Sequence, residues 1–272
     1  MYKIKIMKTL KTILAILTLI LVFSCSKDEA PQTPQVPTSV TATFLISKVT
    51  EPNSSFGTST KFTYDASNKL TKIESNGVGN SSSSSISYNS IGKIEEVLYS
   101  YNLSLSSDKT SYLYNTQNQL IEKRNFKKNS STFTYEYEYS IFYQYINNTI
   151  IIRRVNATSP NLTVSRSIIE LDAIGNATKT IKYYGFTTLN PEGLIDNSET
   201  YTLDNKNNPY KNVPRELFIG SYLFYGQPNN VVKTDFSNSS TSRINTLEYN
   251  QDNFPVKVSN NNGTFAYEYI KI

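Results

Sequence analysis

The chain has no histidine and a single cysteine, Cys25, so any chemistry must come from carboxylates, lysines and hydroxyls. Without imidazole there is no Ser-His-Asp or Cys-His nucleophile system, no imidazole general base and no His/Cys zinc site. Two carboxylates alone can hydrolyse a glycosidic bond, and three pairs lie close in sequence: Glu136/Glu138, Glu95/Glu96 and Glu192/Asp196. Glu136 and Glu138, however, alternate with aromatics in Phe133-Thr134-Tyr135-Glu136-Tyr137-Glu138-Tyr139. They share a strand face with Thr134, which is the pattern of an exposed face. A carboxylate glycoside hydrolase is therefore only a remote alternative. The sequence reads as that of a non-enzyme with no catalytic residue and no cofactor. Asp65, Asp172 and Asp204 lack the dense oxygen-ligand spacing of a calcium loop, so no metal site is expected either. The remaining chemical resource is aromatic: 21 Tyr and 13 Phe, with no Trp. Tyr135, Tyr137, Tyr139 and Tyr143 are candidate ligand-contacting rings for a glycan, although burial in a core or interface is the commoner fate of such residues.

These residues are positioned by one short stretch that recurs six times. It reads Tyr64-Asp65-Ala66-Ser67-Asn68-Lys69-Leu70 in its first copy, and further copies begin at Tyr88, Tyr114, Leu171, Leu203 and Tyr249. The second position holds only Asp or Asn: Asp65, Asn89, Asn115, Asp172, Asp204 and Asn250. The fifth holds only Asn or Gly: Asn68, Gly92, Asn118, Gly175, Asn207 and Asn253. A short Asx side chain opens a turn by accepting a backbone N–H two residues on, and Gly or Asn enters the left-handed region cheaply. Each copy therefore predicts a three-residue hairpin corner with a G1 bulge. Pro209 and Pro255 fit the first position of the return strand, where a donor is dispensable. The corner resembles a degenerate form of the YD repeat of RHS-type proteins. That resemblance implies a hairpin architecture; the chain is too short for the cargo-enclosing arrays of large RHS proteins.

Residues 1–24 read as a targeting segment, with Lys3, Lys5, Lys8 and Lys11 before an apolar run from Ile13 to Phe23. The run is short for a membrane span and ends at Ser24-Cys25, as a signal peptide does. Its end resembles a bacterial lipobox, which implies acylation of Cys25. Lys27-Asp28-Glu29 is similar to the surface-export signal of Bacteroidota lipoproteins. Residues 25–39 then form a tether with Pro31, Pro34 and Pro37 at every third position, a polyproline II spacer of ~3 Å per residue. Four of the 27 basic residues and none of the 22 acidic ones fall in residues 1–24, so the net charge of the rest is +1 rather than +5. No clustered basic footprint is left for nucleic acid.

From 40 to 272 the chain reads as one all-β domain of alternating runs, at 41–49, 143–155, 162–171, 179–186 and 264–272. Asn147-Asn148 and Gln227-Pro228-Asn229-Asn230 are further corners, and 189–198 and 205–214 are the expected irregular loops. Sixteen or so short antiparallel strands exceed what an open twisted sheet carries, so the meander should curl into a barrel-like or two-layer body. In length, anchor and meander the chain resembles the soluble porin-like-barrel lipoproteins of Bacteroidota. The expected protein is held in the outer membrane by its lipid, faces the cell exterior, and has a structural or binding role. The alternative is a glycan- or peptide-binding module for nutrient capture.

Overall fold

The computed structural model describes residues 44–51, 58–77, 79–101, 107–219 and 226–272. Cys25, Lys27, Asp28, Glu29 and the tether lie outside them. The described chain is nearly all β, running as β1 (Phe44–Glu51), β2 (Thr58–Tyr64), β3 (Leu70–Gly77), β4 (Asn80–Tyr88), β5 (Ile94–Tyr101), β6 (Ser107–Tyr114), β7 (Leu120–Lys128), β8 (Tyr135–Ile146) and β9 (Thr149–Asn156). It continues as β10 (Thr163–Leu171), β11 (Ala177–Tyr184), β12 (Leu194–Asn207), β13 (Asn229–Phe236), β14 (Arg243–Ile244), β15 (Thr246–Tyr249), β16 (Pro255–Asn260) and β17 (Gly263–Lys271). One 3-10 turn, Arg215–Leu217, interrupts the pattern.

Each strand pairs antiparallel with its sequence neighbour from β1 to β14, and β15, β16 and β17 continue the meander until β17 pairs back onto β1. The result is a nearly closed barrel. A ring of purely antiparallel neighbours needs an even number of staves, and the 17 strands meet this because β14 and β15 act as two halves of one. Asn245 lies between the halves and stitches the seam. Its backbone N–H donates to the Val232 carbonyl (2.9 Å), its Nδ2 donates to the Val231 carbonyl (2.8 Å), and its Oδ1 accepts from Asn260 Nδ2 (2.9 Å).

The repeat corners all fall at one end of the barrel, and five of them share one hydrogen-bond set. At the first, Asp65 Oδ1 accepts from the N–H groups of Ser67 (2.8 Å) and Lys69 (2.9 Å), while Asn68 N–H donates to the Asp65 carbonyl (3.0 Å). Asn89, Asn115, Asp172 and Asn250 repeat this, with Gly92, Asn118, Gly175 and Asn253 at positive φ as Asn68 is. Asn147 supplies the tighter turn between β8 and β9, at φ 52°. Tyrosines then bind the corners together from inside. Tyr64 OH donates to the Ile46 carbonyl (2.9 Å), Tyr88 OH to the Leu70 carbonyl (2.7 Å) and Tyr269 OH to the Pro255 carbonyl (2.6 Å). Leu70 and Pro255 each open a return strand, so these hydroxyls cap the strand of a neighbouring hairpin.

The copy at Leu203 departs from expectation, since Asp204 and Asn207 do not make a hairpin corner. Asp204 keeps the first Asx bond, from Lys206 N–H (3.0 Å). Its carboxylate is also taken by the backbone N–H and Nδ2 of Asn230 and by Tyr249 OH. Asn208 N–H donates to Pro228 instead of closing the turn (3.0 Å), Asn207 stays at negative φ, and β12 runs through the motif. β13 pairs back onto β12 from Asn229, and 208–219 fold inward from the corner end as a plug. Tyr210, Val213 and Ile219 of the plug join the wall residues Phe62, Ile94, Val97, Tyr112, Tyr143 and Ile169 in one core. Sixteen staves enclose more space than their own side chains fill, and the plug occupies the corner end of it. The expected loop at 189–198 is also shorter than predicted, because β12 already begins at Leu194.

A second strained turn lies at the other end, where Asn129 Oδ1 caps Ser131 and Thr132 and Phe133 sits at φ 58°. Left-handed backbone costs a residue with a Cβ about 1–2 kcal/mol. A Cβ at Gly92 would meet only Lys69 Nζ, at 3.4 Å, so Gly92→Val should lose about 1–2 kcal/mol through backbone strain alone. Ser90→Val in the same turn should lose distinctly less, and Asn68→Gly should be near neutral. Phe133→Asn should instead gain up to about 1 kcal/mol. Denaturant midpoints at constant m-value check all four; equal tolerance of Gly92→Val and Ser90→Val would refute the corner geometry.

Candidate functional site

The inner face of β5–β8 bounds a cavity of about 190 Å³ at the end opposite the corners. Tyr99 and Tyr101 come from β5, Asp108, Thr110 and Tyr112 from β6, Lys123 and Asn125 from β7, Tyr139 and Ile141 from β8, and Leu217 of the plug closes its floor. Strand alternation explains the set: Val97 faces the core, so Tyr99 and Tyr101 do too, and Thr110, Lys123 and Asn125 follow by cross-strand register.

A bulge decides which tyrosines reach this space. Asn125 pairs with Tyr139 and Phe126 with Tyr137, leaving Glu138 as the extra residue. The bulge turns the expected single aromatic face into two. Tyr135 and Tyr137 lie outside: Tyr137 stacks on Phe126 (5.9 Å) and donates to Ser140 Oγ (2.9 Å), and Lys109 Nζ sits over the Phe126 and Tyr135 rings. Tyr139 lines the cavity. Tyr143 is buried beside the plug and donates to the Ile219 carbonyl (2.9 Å).

In each of the sequence-adjacent carboxylate pairs one acid is engaged by a neighbouring side chain. Glu96 is paired with Lys109 (3.2 Å), Glu192 with Arg166, and Glu136 accepts from Asn129 Nδ2 (2.7 Å). The acids that do meet are Asp108 and Glu138, from β6 and β8, which local spacing could not associate. Burial, and then Glu138, raise the Asp108 carboxyl above the usual carboxylate range, with Lys127 opposing. Asp108 Oδ1 is buried with no hydrogen-bond partner, as is Asn125 Nδ2. The amide is fixed because Thr110 Oγ1 donates to Asn125 Oδ1 (2.8 Å), which leaves Asn125 presenting only donors to the cavity. One strand further, Arg154 lies opposite Ile141 and Asn156 opposite Tyr139. Arg154 Nε and Asn156 Oδ1 are likewise buried without partners. Arg154 stacks its guanidinium on Tyr139, 3.8 Å from the ring centroid. Among the described residues no group of acids, histidines or cysteines is arranged to hold a metal ion.

Lys123 is the functional residue that sequence reading passed over. The third residue after each corner's return position is Ile73, Val97, Lys123, Thr180 or Val258. A lysine in a column otherwise given to uncharged core residues was the available signal. Its ammonium lies 5.3 and 5.7 Å from the Tyr112 and Tyr143 ring centroids and donates to the Ile219 carbonyl (2.9 Å). It thereby latches the plug to the wall. Burial pushes its pKa down to about 7, with Glu216 opposing.

A lysine whose folded pKa lies below its unfolded value of about 10.4 makes stability rise with pH between the two, because only the unfolded chain then holds the proton. The protein should gain about 1 kcal/mol per pH unit from pH 7 to about 9.5, with no such slope from this residue below pH 7. Lys123→Met should flatten that rise and be the more stable protein at pH 6. Chemical denaturation across pH checks this, and an unchanged slope in Lys123→Met would contradict it.

No protein-family model matches the chain, and no curated protein matches it in sequence. Among solved structures, it is similar to a porin-like protein from Bacteroides vulgatus ATCC 8482. The two are 14% identical with a TM-score of 0.50, over 84% of this chain and 99% of that one. A porin-like protein from Bacteroides uniformis ATCC 8492 aligns at 11% identity and TM-score 0.37, over 83% of this chain and 96% of the other. A protein of unknown function from Bacteroides fragilis NCTC 9343 aligns at 11% identity and TM-score 0.30, over 53% and 91%. At 14% identity the first likeness is one of fold alone.

Proposed function

We propose that this is a non-catalytic binding protein, a barrel held at the cell surface by an acyl group on Cys25 and exported through Lys27-Asp28-Glu29. The observation that carries binding over pure scaffolding is the cavity wall. An unmatched buried polar atom costs about 1–3 kcal/mol, and a barrel with only a structural role would gain by replacing Asp108 and Asn125 with apolar residues. A ligand that satisfies them recovers that energy on binding. The outer face supports an acyl anchor in place of insertion. It carries the ion pairs Lys48–Glu268, Glu96–Lys109, Glu170–Lys179 and Glu248–Lys257. Charges of this kind cost up to about 2–4 kcal/mol each at a bilayer midplane. The chain enters the barrel at Phe44, at the corner end, where Phe44 packs on Phe254 (5.3 Å) and accepts from Asn212 Nδ2 (2.7 Å). The cavity lies at the other end of the barrel.

Cys25→Ala should release the protein from membranes, and alanines at Lys27-Asp28-Glu29 should leave it acylated but protected from protease added to intact cells. Membrane-bound Cys25→Ala protein after carbonate washing would refute the anchor, and equal shaving of the triple variant and wild type would refute the export signal. For binding, the purified protein is incubated with a small-molecule extract of digested cell-wall and plant polysaccharide, washed, and analysed by mass spectrometry. The wild type should retain a compound that Asn125→Tyr, which puts a ring into the cavity, does not. Equal retention, or none by the wild type, would refute the binding reading, and turnover of the retained compound would refute its non-catalytic part.

A further inference from the structure

We infer that the cavity takes one neutral sugar ring, a single pyranose unit; this rests on the binding reading above. The unmatched atoms are the first argument. On residues of the cavity lining they are one donor, Asn125 Nδ2 of β7, and one acceptor, Asp108 Oδ1 of the neighbouring β6. A hydroxyl both donates and accepts, so a ring bearing several hydroxyls is the class of molecule that can meet donors and acceptors together. An anion would face Asp108 and Glu138. A cation would face Lys123 and leave the Asn125 amide unmatched.

The rings give the second argument. Tyr101, 42% exposed, stands at the mouth with Tyr139, while Tyr112 is 6% exposed at depth. Aromatic faces flanking polar groups suit a ligand with an apolar C–H face and a hydroxylated edge. Size gives the third. About 190 Å³ is small beside the ~300–1,000 Å³ of sites for drug-sized ligands, so it admits one ring and excludes a chain. The wall is also preorganised: Thr110 orients the Asn125 amide before any ligand arrives.

Saturation-transfer NMR and calorimetry on the full chain with glucose, galactose, mannose and N-acetylglucosamine test this. At least one sugar should bind saturably with Kd of about 1–10 mM, the range expected for a ligand of this size. Asp108→Leu and Asn125→Leu should each weaken it at least ten-fold without lowering the melting temperature. Thr110→Val, nearly isosteric, should weaken it by freeing the amide to turn, which keeps the proposal testable if a leucine variant misfolds. Lys233→Ala on the outer wall should bind as wild type. The inference is overturned if none of the four sugars binds, or if the folded leucine variants and Thr110→Val all bind within two-fold of wild type. If the extract experiment yields a retained compound that is not a sugar while none of the four binds, the ligand class fails and the binding barrel stands; if nothing is retained, both fail.

Discussion

The bond from an Asx side chain to the backbone N–H two and four residues on is the interaction from which this architecture follows. It is local and needs no tertiary partner. It closes only when the residue three places after the Asx can turn left-handed, which is why Asn and Gly alternate in that column. Five such corners fix the register of five hairpins, and register fixes which side chains face inward. Each of the five follows an even-numbered stave, β2, β4, β6, β10 or the β14–β15 pair, so these corners gather at one end. The inner tyrosines Tyr64 and Tyr88 then reach from one strand pair to the next and tie that end together.

A barrel of this girth needs filling, and the manner of filling separates its two ends. At the corner end the fifth motif copy fails to turn, and the chain it releases becomes the plug. Lys123 and Tyr143 converge on the Ile219 carbonyl to hold it. Burying a lysine there is unfavourable in itself, and the aromatic faces of Tyr112 and Tyr143 offset only part of the desolvation. At the opposite end Leu217 is the one plug residue, among the described residues, that lines the wall, and a polar, tyrosine-lined space remains. The packed plug and the open space thus lie at opposite ends of one sheet.

The sequence made the fold legible where the determinants were local. Asp65 with Asn68, or Asp172 with Gly175, carry their turn in a few residues, and strand number followed from spacing. Three features were hidden because they depend on distant partners. Asp204 has the same local signature as Asp172, but Asn230 and Tyr249 compete for its carboxylate. The stripe from Phe133 to Tyr139 alternates without a flaw, yet the bulge at Glu138 is set by pairing with β7 and splits it between two faces. Of the four candidate rings only Tyr139 lines the cavity. Asp108, Asn125 and Tyr139 lie on three strands, and nothing in their own neighbourhoods marks them as lining one space.

The binding proposal requires that the space between Asp108 and Asn125 be built for an organic ligand and not be merely wet. A high-resolution crystal structure of protein purified from its own cells, without added sugar, tests it directly. The account predicts ring-shaped density against Tyr139, with hydroxyls within hydrogen-bonding distance of Asp108 Oδ1 and Asn125 Nδ2. A chain of well-ordered waters satisfying both atoms, unchanged after soaking in concentrated monosaccharide, would contradict it.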